Sequence, residues 1–170
     1  MNTLATRTRT FTWSDPVALA SETLQIPGLE FIQLIAAGKL PPPPVADLLD
    51  LTITEVEHGR VVFAIEPAEW MYNPIGSVHG GITATVLDSA MGCAVHTTLP
   101  AGAGWTTSDL QVRYLRPMSA DTGRVLAEGR VIHSGSRTVT AEGRMFTERD
   151  GSLIAHSTSG CMLIRAPAGA

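Results

Sequence analysis

Charge is scarce in this chain, at 16% of its 170 residues, and across one long stretch it almost vanishes: between Glu69 and Asp109 the only formally charged side chain is Asp88. Cysteines are scarcer still. Cys93 and Cys161 lack the paired spacing of a metal site and read as small buried hydrophobes in a reducing compartment. His58, His96, His133 and His156 fall on separate predicted elements without ligand spacing, so no metal centre is expected. No apolar run is long enough to span a bilayer, and the Thr- and Arg-rich first nine residues hold no apolar signal core. The expectation is a cytoplasmic protein with no membrane partner. A net charge of -4 argues against nucleic acid as a partner. The charge is uneven, however, with ten acids and four bases in residues 1–100 against six acids and eight arginines afterwards. That leaves room for a local basic surface facing a small polyanion.

What the chain does hold is one long apolar helix around the lone acid. Residues 78–96 carry apolar side chains on every side of a 3.6-residue repeat, so this helix reads as wrapped by other structure. A carboxylate in such surroundings forfeits hydration, a cost to stability and an asset to chemistry. Asn73-Pro74 and the glycines Gly76, Gly80 and Gly81 precede the run. They predict a helix start near His79, with unpaired backbone N–H groups suited to an oxyanion. Gly80 and Asp88 lie about 12 Å apart along one helix axis, so one substrate atom cannot easily meet both within a single chain. If they act together, the Gly80 end comes from one subunit and Asp88 from a second copy packed antiparallel beside it.

With 44% hydrophobic residues, the chain is long enough for one core. Residues 1–44 read as an N-terminal arm and helical appendage. Short helices are expected from Ser14-Asp15-Pro16 and after Pro27-Gly28, closed by the stiff linker Pro41-Pro42-Pro43-Pro44. Residues 45–166 read as the main domain. From Leu48 the pattern turns to period two: Leu49, Leu51 and Ile53, a His58-Gly59 turn, then Val61, Phe63 and Ile65 predict a hairpin. Beyond the helix, Leu110, Val112 and Tyr114 alternate with polar residues. Turns at 121–123, 134–136 and 150–151 then separate strands over 124–133, 137–148 and 152–165. The sum is an α+β chain in which a twisted antiparallel sheet of about six strands wraps a central helix. That description is the hot-dog fold.

The run Asn73-Pro74-Ile75-Gly76-Ser77-Val78-His79-Gly80-Gly81, then Asp88, then Tyr114-Leu115-Arg116-Pro117 resembles the phenylacetate-degradation (PaaI) branch of the hot-dog acyl-CoA thioesterases, over about residues 40–165. The resemblance implies hydrolysis of an acyl-CoA thioester by a homodimer or a dimer of dimers. Gly80 would offer its backbone N–H to the thioester carbonyl. Asp88 of the neighbouring subunit would activate water or attack the carbonyl directly. Asn73 would orient substrate or water, His79 would support its loop, and a hydroxyl early in the next strand would assist the water, with Thr107 the nearest match. A thioester is already electrophilic, so neither metal nor cofactor is called for, and coenzyme A enters as part of the substrate. Arg113, Arg116 and Arg137 are the candidates for its phosphates.

Each residue also has a plainer role. His79 could simply be a structural hydrogen-bonder at the helix start, Asn73 could initiate a turn, and the arginines could be strand-edge solubilisers. Ser77 beside His79 lacks the Gly-x-Ser-x-Gly elbow of a serine hydrolase. Among the tryptophans, Trp70, close to Asn73, is the one expected to touch an acyl chain. Two other functions share the fold: a non-catalytic acyl-CoA-binding module, and a hydratase acting on enoyl thioesters.

Overall fold

The computed structural model describes residues 5–165. Residues 1–4 of the arm and residue 166 of the main domain lie outside the described residues. Helices α1 (Pro16–Thr23) and α2 (Gly28–Ala36) form the appendage. A third helix, α3 (Pro44–Leu49), follows where the sequence pattern predicts a linker running into a strand. Pro44 opens it, a position where its missing N–H costs nothing, and Asp50 ends it in the left-handed region at φ 52°. Strand β1 (Thr52–Glu57) therefore begins later than the alternation of Leu49, Leu51 and Ile53 suggests.

The hairpin of β1 and β2 (Arg60–Ile65) leads to the central helix α4 (Gly80–His96), and then to β3 (Ala103–Tyr114), β4 (Val125–Ser134), β5 (Thr138–Thr147) and β6 (Leu153–Arg165). All six strands form one antiparallel sheet in the order β1-β2-β4-β5-β6-β3, which leaves β1 and β3 as its edges. The sheet wraps α4 in the expected hot-dog arrangement, with contacts from the helix to β2, β3, β4, β5 and β6. Val86, Leu87, Ala90, Met91, Ala94 and Val95 of α4 are completely enclosed, together with Val61, Val125, Val139, Ala141 and Met145 from the strands. Close approach depends on a missing side chain: a Cβ on Gly129 of β4 would fall 2.3 Å from the Ala90 backbone.

Helix α2 packs on β1 and on α4, so the appendage covers the side of α4 that the sheet leaves free. Among the described residues ahead of α1 there is no strand; Arg9 ties this segment down through Asp50 and the Leu48 carbonyl and lies 3.9 Å over the Trp70 ring.

Candidate active site

Asp88 sits on the flank of α4 between the edge strand β3 and the appendage. Residues 88, 92 and 96 recur every four positions, with 89 and 93 beside them, so one stripe of the helix carries Asp88, Ser89, Gly92, Cys93 and His96. Asp88 is half-buried, short of the full enclosure its apolar neighbours suggest. It forms no ion pair with an arginine or lysine among the described residues. Its partner is a hydroxyl: Thr107 of β3 donates a hydrogen bond of 2.9 Å to Asp88 Oδ1. Thr107 reaches the acid because β3 carries a bulge. Thr107 pairs with Cys161 and Asp109 with Gly160, leaving Ser108 as an extra residue. The extra residue switches strand parity, so Trp105 and Thr107 share the helix-facing side with Leu110 and Val112.

Asp88, Ser89, Cys93, His96 and Trp105 line one side of a cavity of about 680 Å³; α1, α2, the polyproline segment, α3 and β1 close the other. Trp105 fits here because α4 has a glycine opposite it: a Cβ on Gly92 would lie 2.0 Å from the indole. The Trp105 indole N–H donates to His96 Nδ1 at 3.2 Å, which puts the imidazole proton on Nε2. That nitrogen is buried and has no partner among the described residues. Burial pushes the His96 imidazole down, toward its neutral form. Desolvation, with the charge of Asp88 adding to it, pushes the Cys93 thiol up to about 12, so Cys93 stays protonated and unreactive. Of the tryptophans, Trp105 lines this cavity and Trp70 does not; the Trp70 ring lies 3.9 Å under Arg9.

The segment before α4 forms a second feature. Asn73 Oδ1 accepts the N–H groups of Ile75 and Ser77, and Asn73 Nδ2 donates to Ser77 Oγ at 3.1 Å. The amide thus shapes the loop that delivers His79. His79 caps α4, its Nδ1 accepting the Gly81 N–H at 2.9 Å. The Gly80 N–H, at the first helical position, has no acceptor among the described residues. Tyr114 lies against Gly80, donating to its carbonyl at 3.0 Å, and a smaller cavity of about 310 Å³ opens between Gly80, Thr83, Tyr114 and Arg116. Asp88 and Gly80 therefore face different cavities of one protomer.

The three arginines do not gather in one protomer. Arg116 lines the Gly80 cavity and donates to the Leu153 carbonyl at 2.6 Å. Arg113 pairs across to His156. Arg137 sits beside Thr138, which pairs with Met162 and through it with Thr106, so Arg137 and Arg113 are seven β3 positions, or about 23 Å, apart along the sheet. Among the described residues no group of three His, Cys, Asp or Glu side chains is placed to hold a metal ion, and no helix is long and apolar enough to cross a membrane.

Comparison with known proteins agrees with this architecture. Residues 75–154 match the family model described as the thioesterase superfamily. A Halobacterium salinarum protein that carries an esterase name is 43% identical over 107 residues, covering 60% of this chain and 69% of that protein. Human acyl-coenzyme A thioesterase 13 is 28% identical over 105 residues, covering 58% of this chain and 74% of the relative. The crystal structure of a thioesterase described as phenylacetic acid degradation-related, from Ralstonia eutropha, superposes with a TM-score of 0.69 at 30% identity, over 76% of this chain and 97% of that one. The helix-wrapping sheet, the free amide at the start of α4 and the sequence matches together establish that the chain belongs to the thioesterase superfamily.

Proposed function

We propose that this protein hydrolyses an acyl-coenzyme A thioester at a site shared by two copies of the chain, with Asp88 of one protomer as the oxygen base or nucleophile and the Gly80 N–H of the partner subunit polarising the carbonyl. The observation that carries this reading is the pairing of a cation-free carboxylate with a donated Thr107 hydrogen bond at a cavity wall. One oxygen of Asp88 is held in place and the other is left to act. The free Gly80 amide supplies the second half, on a helix end that one substrate atom cannot share with Asp88 of the same chain.

In the water route, Asp88 takes a proton from water as the oxygen adds to the carbonyl carbon, and the developing oxyanion is met by the Gly80 N–H. The C–S bond then breaks and the proton passes to the departing thiolate. In the direct route, a carboxylate oxygen adds to the same carbon, the thiolate leaves, and water cleaves the resulting anhydride. In a single turnover in isotope-labelled water, label in Asp88 identifies the direct route with water opening the anhydride at the Asp88 carbonyl, because the water route puts label into the product acid alone. Arg116, beside Gly80, is the arginine best placed for a phosphate of the coenzyme.

The test is release of free thiol, trapped colorimetrically. Asp88→Asn is expected to lower kcat by about a thousandfold, within the range for loss of a general base. Binding of an unreactive thioether analogue and the melting temperature should stay close to wild type. Wild-type turnover in that variant removes Asp88 from the mechanism. Tight binding without thiol release in the wild-type protein replaces the hydrolase by a binding module, and loss of an enoyl absorbance without thiol release replaces it by a hydratase.

A further inference from the structure

The cavity beside Asp88 has a wall supplied largely by the N-terminal appendage. Along α4 it runs from Asp88 to His96, two turns or about 12 Å. Opposite, it is closed by Phe31 and Ile35 of α2, Leu40 and the prolines that follow, and Ile53 of β1. At about 680 Å³ it is in the range of sites that enclose a whole small-molecule ligand. Its lining offers no lysine or arginine, and its ionisable groups are Asp88, Cys93 and His96. Cys93 holds its proton and His96 is driven toward its neutral form, so Asp88 is the single formal charge in the cavity. The far end is sealed by His96, which meets the Phe31 ring edge-on at 5.5 Å and is hydrogen-bonded to Trp105.

A ligand filling this space would exchange water for hydrocarbon on nearly every side. It would lie with one end at the candidate base and its body along the appendage. An anionic tail would enter with no cation to receive it and with Asp88 as a neighbour. A short acyl group would leave most of the apolar wall uncovered and gain little from burial.

We infer that the N-terminal appendage is the acyl-binding element of the enzyme, and that its substrates are thioesters of bulky uncharged acyl groups, medium-length aliphatic or aryl-substituted, rather than acetyl or dicarboxylic acyl thioesters. This rests on the hydrolase reading above, and it makes Ile35 a specificity-determining residue although it lies far from Asp88 in sequence.

The experiment compares acetyl-, octanoyl-, phenylacetyl- and succinyl-CoA with wild type, Ile35→Trp, which fills the cavity, and Ile35→Ala, which enlarges it. Turnover is followed by thiol release, and binding is followed separately by calorimetry with the matching unreactive thioethers. Wild-type kcat/KM for octanoyl- and phenylacetyl-CoA should exceed that for acetyl- and succinyl-CoA by about a hundredfold or more, given the gain per buried methylene. Ile35→Trp should lower the octanoyl value by about tenfold or more and leave the acetyl value within about twofold. Ile35→Ala should move the optimum toward longer chains, and melting curves check that each variant is folded. A preference for acetyl or succinyl, or an equal loss on all four substrates in folded Ile35→Trp, overturns the inference. If no thioester is cleaved yet thioether binding still follows acyl size and still falls in Ile35→Trp, the hydrolase reading fails while the appendage remains the acyl site.

Discussion

Along α4 the residues turned to the sheet, Val86, Leu87, Ala90, Met91, Ala94 and Val95, are sealed from solvent and carry no group able to donate a hydrogen bond from the side chain. Those turned to the appendage, Asp88, Ser89, Cys93 and His96, are all polar, and they line a cavity. One helix thus divides two duties between its faces. The sheet face contributes burial, at roughly 25 cal/mol per Å² of apolar surface, and tolerates little change. The appendage face has given up packing for space and for a carboxylate, and substitutions there should alter chemistry more than stability.

The sharpest way to test that division is to change each face alone. Met91→Ala empties a fully buried position on the sheet side and should cost about 2–5 kcal/mol, read as a fall in denaturant midpoint. The turnover of whatever fraction remains folded should be little affected. Thr107→Val keeps the shape but removes the hydrogen bond to Asp88, and should lower kcat about tenfold, or about 1.4 kcal/mol, with KM and melting temperature nearly unchanged. A large stability loss in Thr107→Val, or a folded Met91→Ala without activity, would blur the two faces. The smallest effect concerns His96. Its folded-state value lies below the ordinary histidine range, so the folded protein binds this proton less readily than the unfolded chain does. Its contribution to stability is complete above pH about 6.5 and is lost as pH falls below that. His96→Gln should flatten this acid-side slope in melting temperature against pH, and an unchanged slope would assign it to other groups.

Much of the architecture is legible from simple alternation. The β1–β2 hairpin and the strands after Tyr114 follow period two between glycine-containing turns, and α4 declares itself by apolar residues on all sides. Two elements escaped for physical reasons. Helix α3 has six residues, too few for a 3.6-residue period to stand out, and its buried Leu49 continues by coincidence the alternation of Leu51 and Ile53. At β3 the bulge at Ser108 reverses which residues face the helix, so a pattern extended back from Leu110 and Val112 points Thr106 and Ser108 inward instead of Trp105 and Thr107. Of the candidate site, Asp88 stands out in the sequence through its isolation and the Gly80 amide through the glycines around it. The cavity had no sequence signal of its own, because it is made where α1, α2 and α3 meet β1 and α4, and its tryptophan is set by the space above Gly92.

The claim on which the mechanism stands is that Asp88 and the Gly80 amide of one working site come from different copies of the chain. Mixing two inactive variants tests it directly. Gly80→Pro removes the amide proton at a first helical position, where proline suits the backbone, and the preceding His79 already has an extended ψ of 132°. The Tyr114 ring, 3.2–3.3 Å from the position of a Cβ and exposed, must yield by a few tenths of an ångström. Asp88→Asn and Gly80→Pro, unfolded together and refolded as a mixture, should recover about a quarter of wild-type thiol release, because half of the dimers are hybrids and each hybrid holds one intact site. If the mixture forms hybrids and stays as inactive as its parents, the two groups do not meet across a subunit boundary and the shared site is wrong.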